Sequence, residues 1–181
     1  MSGGLSMRSL FSLATMVMVS VTCASARDVY AQGDPNPAPP TQCASAQYRQ
    51  FDFWVGDWEV RGTDGAWLGS NQIEKIQGGC VLQEHWTGAS GDTGTSFNIY
   101  DFTRDVWHQT WVSRASLLVL EGGLQGTTMV LEGTTHEAGG REVLNRITWT
   151  PVSHDEVTQV WETSGDGEQW NVIFHGIYRR K

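Results

Sequence analysis

At 181 residues and a formal net charge of −8, the chain is long enough for one domain with a real core. Its acids are scattered, which excludes nucleic acid and an anionic membrane surface as partners, since both attract basic patches. Nine tryptophans and 21 glycines against only two lysines point to an all-β fold, with aromatic residues in the strands and glycines in the turns.

Residues 1–31 read as a signal peptide. Arg8 precedes the apolar run Leu10, Phe11, Leu13, Ala14, Met16 to Val19 and Val21, a charged region followed by a hydrophobic one, and Met7 offers an alternative start. Two cleavage sites fit, after Ala26 and after Ala31, each preceded by small residues at alternate positions. The run is too short and serine-rich to favour a membrane anchor, and Thr22 disfavours lipidation at Cys23. Cleavage after Ala31 removes Arg8, Arg27 and Asp28, leaving 10 bases and 19 acids, a formal −9. Periplasmic or secreted localisation follows, with no membrane span after cleavage.

Residues 32–50 form a proline-rich linker and lead-in. Four prolines between Gln32 and Thr41 rule out a helix or a central strand there. The mature chain keeps Cys43 and Cys80, which an exported protein most simply joins as a disulfide worth about 4 kcal/mol in the chain-entropy model. Two buried free thiols are the alternative.

From Phe51 to Lys181 apolar runs recur between clusters of Gly, Asp, Asn and Ser. Strands are predicted near 52–61, 67–77, 80–88, 94–101, 106–113, 116–121, 126–133, 142–150, 155–163 and 169–179. Asp64-Gly65, Gly139-Gly140 and Asp166-Gly167 read as hairpin turns. No helical period is sustained, and the connections are too short for crossovers. The strands must therefore pair as an antiparallel meander, and closure into a barrel removes its edges. Charge on both faces argues against a transmembrane barrel.

The segment Phe51-Asp52-Phe53-Trp54-Val55-Gly56-Asp57-Trp58 carries a Gly-x-Trp that resembles the signature of lipocalins and their calycin relatives. That resemblance implies a lipocalin-like barrel in which Trp58 closes one end beneath a basic residue of the last strand, Arg179 or Arg180, by a cation–π contact. The chain also resembles a family of exported bacterial proteins of no assigned activity. The matching pieces are Phe51 to Trp54, Gly79 to Leu82, Glu84 to Trp86, Asn98 to Asp101, Trp107 to Trp111 and Trp149-Thr150. This likeness spans 51–181 and implies the fold rather than a function.

Strand alternation gathers candidate ligand-binding residues on one face: Glu84, Trp86, Asn98, Tyr100, Trp107, Gln109, Trp111, Arg146, Gln159 and Trp161. Ser96, Thr148, Trp170, Phe174 and Tyr178 fall on the same face, and a one-residue register slip would exchange it for the other. Rings alternating with single polar groups suit a small-molecule lumen, with Glu84 and Arg146 pairing inside. The alternative is a filled barrel whose polar groups satisfy one another.

Other chemistry finds little support. His85, His108, His136, His154 and His175 show no metal-ligand spacing, and His175 is a weak haem candidate, so neither metal nor cofactor is expected. Neither a Gly-x-Ser-x-Gly elbow nor a Cys/His pair is present, and Asp52, Asp57 and Asp101 sit at strand ends or turns. The glycine pairs 78–79, 122–123 and 139–140 read as turns without a following helix, and so cradle no phosphate. Three functions stay open: a carrier of a small apolar or amphipathic ligand, an isomerase or cyclase with Glu84 as its base, and an interaction module with a plugged interior. Monomer and homodimer are equally compatible.

Overall fold

The computed structural model describes residues 41–181; the expected signal peptide and most of the expected proline-rich linker lie outside the described residues. Ten strands follow three short 3-10 turns: β1 (Gly56–Arg61), β2 (Trp67–Ile76), β3 (Val81–Gly88), β4 (Thr93–Asp101), β5 (Val106–Ser113), β6 (Leu117–Gln125), β7 (Thr128–His136), β8 (Glu142–Ser153), β9 (Glu156–Ser164) and β10 (Asn171–Arg180). Each pairs antiparallel with the next, and β1 pairs with β10 to close the barrel. The expected all-β meander and its closure are both present. Among the described residues no helix is long and apolar enough to cross a membrane.

Period-two alternation decides what faces inward. In β4, Gly94, Ser96, Asn98 and Tyr100 are buried, whereas Phe97 and Ile99 lie on the outer face. Three expectations need correction. First, the opening strand begins at Gly56 rather than residue 52, because Asp52–Trp54 forms a 3-10 turn. That turn tucks Phe51 and Trp54, both fully buried, under the barrel. Second, Gly122 and Gly123 lie inside β6, paired with Leu131 and Val130, and are not a turn. A Cβ on Gly122 would overlap the carbonyl of Val130, so glycine answers a close approach there. Third, the inward face of β8 carries Asn145, Ile147 and Trp149, so Arg146 and Thr148 point outward.

One end of the barrel is closed by rings. Phe51 stacks on Trp54 at 5.0 Å between centroids and meets Trp107 and Trp149 edge-on at 5.6 and 5.2 Å. Edge-on and offset contacts are the arrangements that aromatic quadrupoles favour. Tyr100 joins the cluster through Tyr48 (5.2 Å) and Trp107 (6.1 Å). Each ring withdraws roughly 150–250 Å² from water, a gross gain of about 4–6 kcal/mol. Cys43 and Cys80 are bridged, which ties the lead-in to the start of β3.

Trp58 at the junction of β1 and β10 is covered by Arg180, not Arg179. Its guanidinium lies 4.2 Å from the ring centroid of Trp58, donates from Nη1 to the Val55 carbonyl (2.9 Å) and reaches the His154 carbonyl from Nε and Nη2. Arg179 points to solvent and pairs with Glu156. Parity decides between them: Tyr178 and Arg180 share one side of β10, and Arg179 takes the other.

Candidate functional site

Above the ring-filled base lies a tier of polar side chains, and above that an open cavity. The tier is built by neighbouring strands at the same height: Asn71 of β2, Glu84 of β3, Ser96 and Asn98 of β4, Gln109 of β5, Gln159 of β9 and Tyr178 of β10. All seven are buried. Pairing sets them side by side, with Ser96 opposite Glu84 and Asn98 opposite Gln109.

From β5 to β3 the hydrogen bonds of the tier run toward Glu84. Gln109 Nε2 donates to Asn98 Oδ1 (2.7 Å), Asn98 Nδ2 to Ser96 Oγ (2.9 Å), and Ser96 Oγ to Glu84 Oε2 (2.6 Å). Asn71 Nδ2 donates to Glu84 Oε1 (2.7 Å) from the other side, and Tyr178 donates its hydroxyl to Gln159 Oε1. The carboxyl group of Glu84 is thus the common acceptor of the array. Burial pushes its pKa from 4.5 up to about 7, against the bonds from Ser96 and Asn71 that pull it down. Tyr178 is raised well above the usual phenol value, first by burial and then by the nearby Glu84. Asn71 Oδ1 is buried with no partner among the described residues.

The cavity opens at the end opposite the rings and measures about 910 Å³. Glu84, Gln109, Gln159 and Tyr178 form its floor, and Trp86, Trp111, Trp161 and Phe174 its walls. Trp86 meets Phe174 edge-on at 6.1 Å, and Trp161 is held by a bond from Nε1 to Asn145 Oδ1 (3.0 Å). The rim comes from the β3–β4 and β5–β6 connections, which bring Asp92 and Arg114 to the mouth.

Three wall rings lie against glycines, two of them (Gly69 and Gly94) on an adjoining strand and the third (Gly176) two residues along β10 from its ring. A Cβ on Gly69 would collide with the Trp86 indole, one on Gly94 with the Trp111 indole, and one on Gly176 with the Phe174 ring. Flattened against the sheet in this way, the rings leave the lumen open. These three glycines escaped the sequence reading, which took glycine for a turn signal; the cue was glycine at an inward position inside a strand.

No protein-family model matches the chain, and no curated protein matches it. Of the ten residues singled out from sequence, six come together around the cavity: Glu84, Trp86, Gln109, Trp111, Gln159 and Trp161. Asn98 lies beneath them as a link in the hydrogen-bond chain. Tyr100 and Trp107 sit lower still, inside the closed end; Tyr100 donates to Asp105, and Trp107 Nε1 to Gln50 Oε1 (3.0 Å). Arg146 is outside the barrel. It pairs with Glu132 (2.6 Å) and lies 3.9 Å from the ring centroid of Trp170, so no Glu84–Arg146 pair exists. The physical reason is that Arg146 has an acid directly opposite on the outer surface of β7, while Ile147 and Trp149 fill the interior.

His175 falls between the inward Phe174 and Gly176 on β10 and so faces outward. Among the described residues, no group of three His, Cys, Asp or Glu side chains is arranged to hold a metal ion.

Proposed function

We propose that the chain is an exported, lipocalin-like binding protein of the calycin type that holds a small apolar or amphipathic molecule in the open half of its barrel. The observation that carries this reading is the cavity of about 910 Å³ lying on a hydrogen-bonded polar floor between aromatic walls. Small-molecule sites usually occupy roughly 300–1,000 Å³ and combine apolar walls with a few placed polar groups. The closed end supports the same reading, because stability comes from the rings there and leaves the other half free for a ligand. The bridge between Cys43 and Cys80 suits an oxidising compartment, which is where the signal peptide expected from the sequence would send the chain.

Native mass spectrometry of the unreduced protein, taken from its host's exported fraction, tests the proposal. A small molecule released on denaturation is the expected result. An apo mass, with no uptake of apolar dyes by the purified chain, would refute it.

A second reading is favoured by one feature, the pKa of Glu84 near neutrality within an aromatic site. Such a carboxyl group can take and return a proton, as an isomerase or cyclase requires. Glu84→Gln separates the two readings: turnover collapses in an enzyme, whereas a carrier goes on binding.

A further inference from the structure

We propose that the lumen selects amphiphiles with a cationic, ammonium-type head and discriminates against fatty acids, the head resting on Glu84 and the tail lying among the wall rings. This rests on the reading of the barrel as a binding protein and names the class of molecule it takes.

The charges around the cavity are one-sided. Among the described residues, Glu84 is the only acid on the floor, and no lysine or histidine lines the cavity. The single guanidinium, Arg114, belongs to the β5–β6 connection at the rim, where Asp92 is its acidic counterpart. A fatty acid entering head-first would set a second carboxyl group beside Glu84 in a site shielded from water, where like charges disfavour each other. An ammonium group meets the opposite situation.

The floor is also wired for a cation. Every link of the Gln109–Asn98–Ser96 chain donates toward Glu84, and Asn71 donates to it from the other side, so the negative end of the array is the carboxylate itself. Each oxygen of Glu84 receives one protein hydrogen bond, which leaves each a lone pair for a ligand N–H.

The walls act in the same sense. Trp86, Trp111, Trp161 and Phe174 surround the space above the floor. Tryptophan faces attract cations by about 0.5–2 kcal/mol each, and the same rings cover an alkyl tail. The formal charge of −8 adds a long-range pull on cations and a weak repulsion of anions.

The test compares three probes of equal tail length, decylamine, decanol and decanoate, titrated into the full chain at pH 8 by calorimetry. Burial lifts the Glu84 carboxyl to about 7, so at that pH it is ionised, and an alkylamine is charged as a lysine is. Decylamine is expected to bind roughly ten-fold more tightly than decanol, with decanoate weakest. In Glu84→Gln the advantage over decanol should shrink to about two-fold or less.

The native protein offers a second readout that needs no variant: the amine's advantage falls at pH 5.5, where Glu84 holds its proton. Tyr178 of β10 is the one other titratable group on the floor; β2, β4, β5 and β9 present only Asn71, Ser96, Asn98, Gln109 and Gln159 there. Decanoate binding as tightly as decylamine would overturn the proposal, and so would an amine preference that survives both Glu84→Gln and the lower pH. Equal binding of all three probes overturns the cation selection and leaves the carrier reading standing. Failure of all three to bind overturns both.

Discussion

Phe51→Ala and Trp161→Ala should separate stability from binding, because the two rings sit in opposite halves of one barrel. Phe51 is fully buried and touches the rings of Phe53, Trp54, Trp107 and Trp149 at centroid distances of 5.0–5.6 Å. A buried Phe→Ala change costs about 3–5 kcal/mol through lost transfer energy and the residual cavity. The neighbouring rings are locked against one another and cannot collapse into the space, which places this site near 4–5 kcal/mol. For a domain of this size that corresponds to a fall in Tm of roughly 10–20 °C.

Trp161 is only half-buried and borders space that is already open. Truncating it creates no sealed void and leaves Asn145 Oδ1 facing the cavity, where water can reach it. Its cost should stay near 1–2 kcal/mol. The assay is a urea titration with constant m, paired with displacement of an apolar fluorescent dye at 20 °C. Phe51→Ala should lose stability and keep dye affinity; Trp161→Ala should do the reverse. The division of labour is wrong if Trp161→Ala proves the more destabilising, or if folded Phe51→Ala no longer binds the dye.

Arg180→Met should destabilise by about 2–3 kcal/mol in chemical denaturation, losing the contact with Trp58 and the bonds to Val55 and His154, whereas Arg179→Met should stay within about 0.5 kcal/mol. Gly94→Ala should push the Trp111 indole into the lumen and lower ligand affinity by roughly ten-fold while shifting the denaturation midpoint little, which the dye titration and a urea curve read together. Glu84 should make stability fall as pH rises. Between about 4.5 and about 7 only the folded state keeps its proton, so unfolding releases one, and above about 7 the full penalty of about 3 kcal/mol stands. Melts from pH 4 to pH 8.5 should show this slope in the parent chain and its loss in Glu84→Gln; parallel curves would contradict it.

Fold and site were legible to different depths. Ten strands, their antiparallel order and the closed barrel could be read from apolar runs punctuated by turn residues, since those signals are local. The inward faces of β3, β4, β5 and β9 followed from alternation. On β8 the alternation read from sequence, with Arg146 and Thr148 inward, is one residue out of step with the structure. The outward pair with Glu132 depends on the register between β7 and β8, which alternation within one strand does not encode. Height along the barrel was equally invisible. Trp107 and Trp111 share a face of β5, yet one is sealed in the closed end and the other borders the cavity, and only the tilt and stagger of the strands decide that. The Phe-Asp-Phe-Trp opening looked like a strand because it is aromatic. It became a plug because the barrel base needed filling.

The polar tier is where stability and function pull apart. Directly below it the interior is packed with rings, and a continuation in leucine and isoleucine would complete an ordinary core. Instead the chain places Asn, Ser, Gln, Tyr and an acid at mid-barrel, with Asn71 Oδ1 unpartnered and the Glu84 carboxyl held near neutral pKa by burial. A purely structural network would not need the acid, since Gln at position 84 fills the same volume without the ionisation penalty. Groups retained at such a cost are most readily explained by what they do for a ligand. On that argument Glu84→Gln yields a protein that is more stable above pH 7 and yet a poorer binder. That opposite movement of the two quantities is what a filled, inert barrel could not produce.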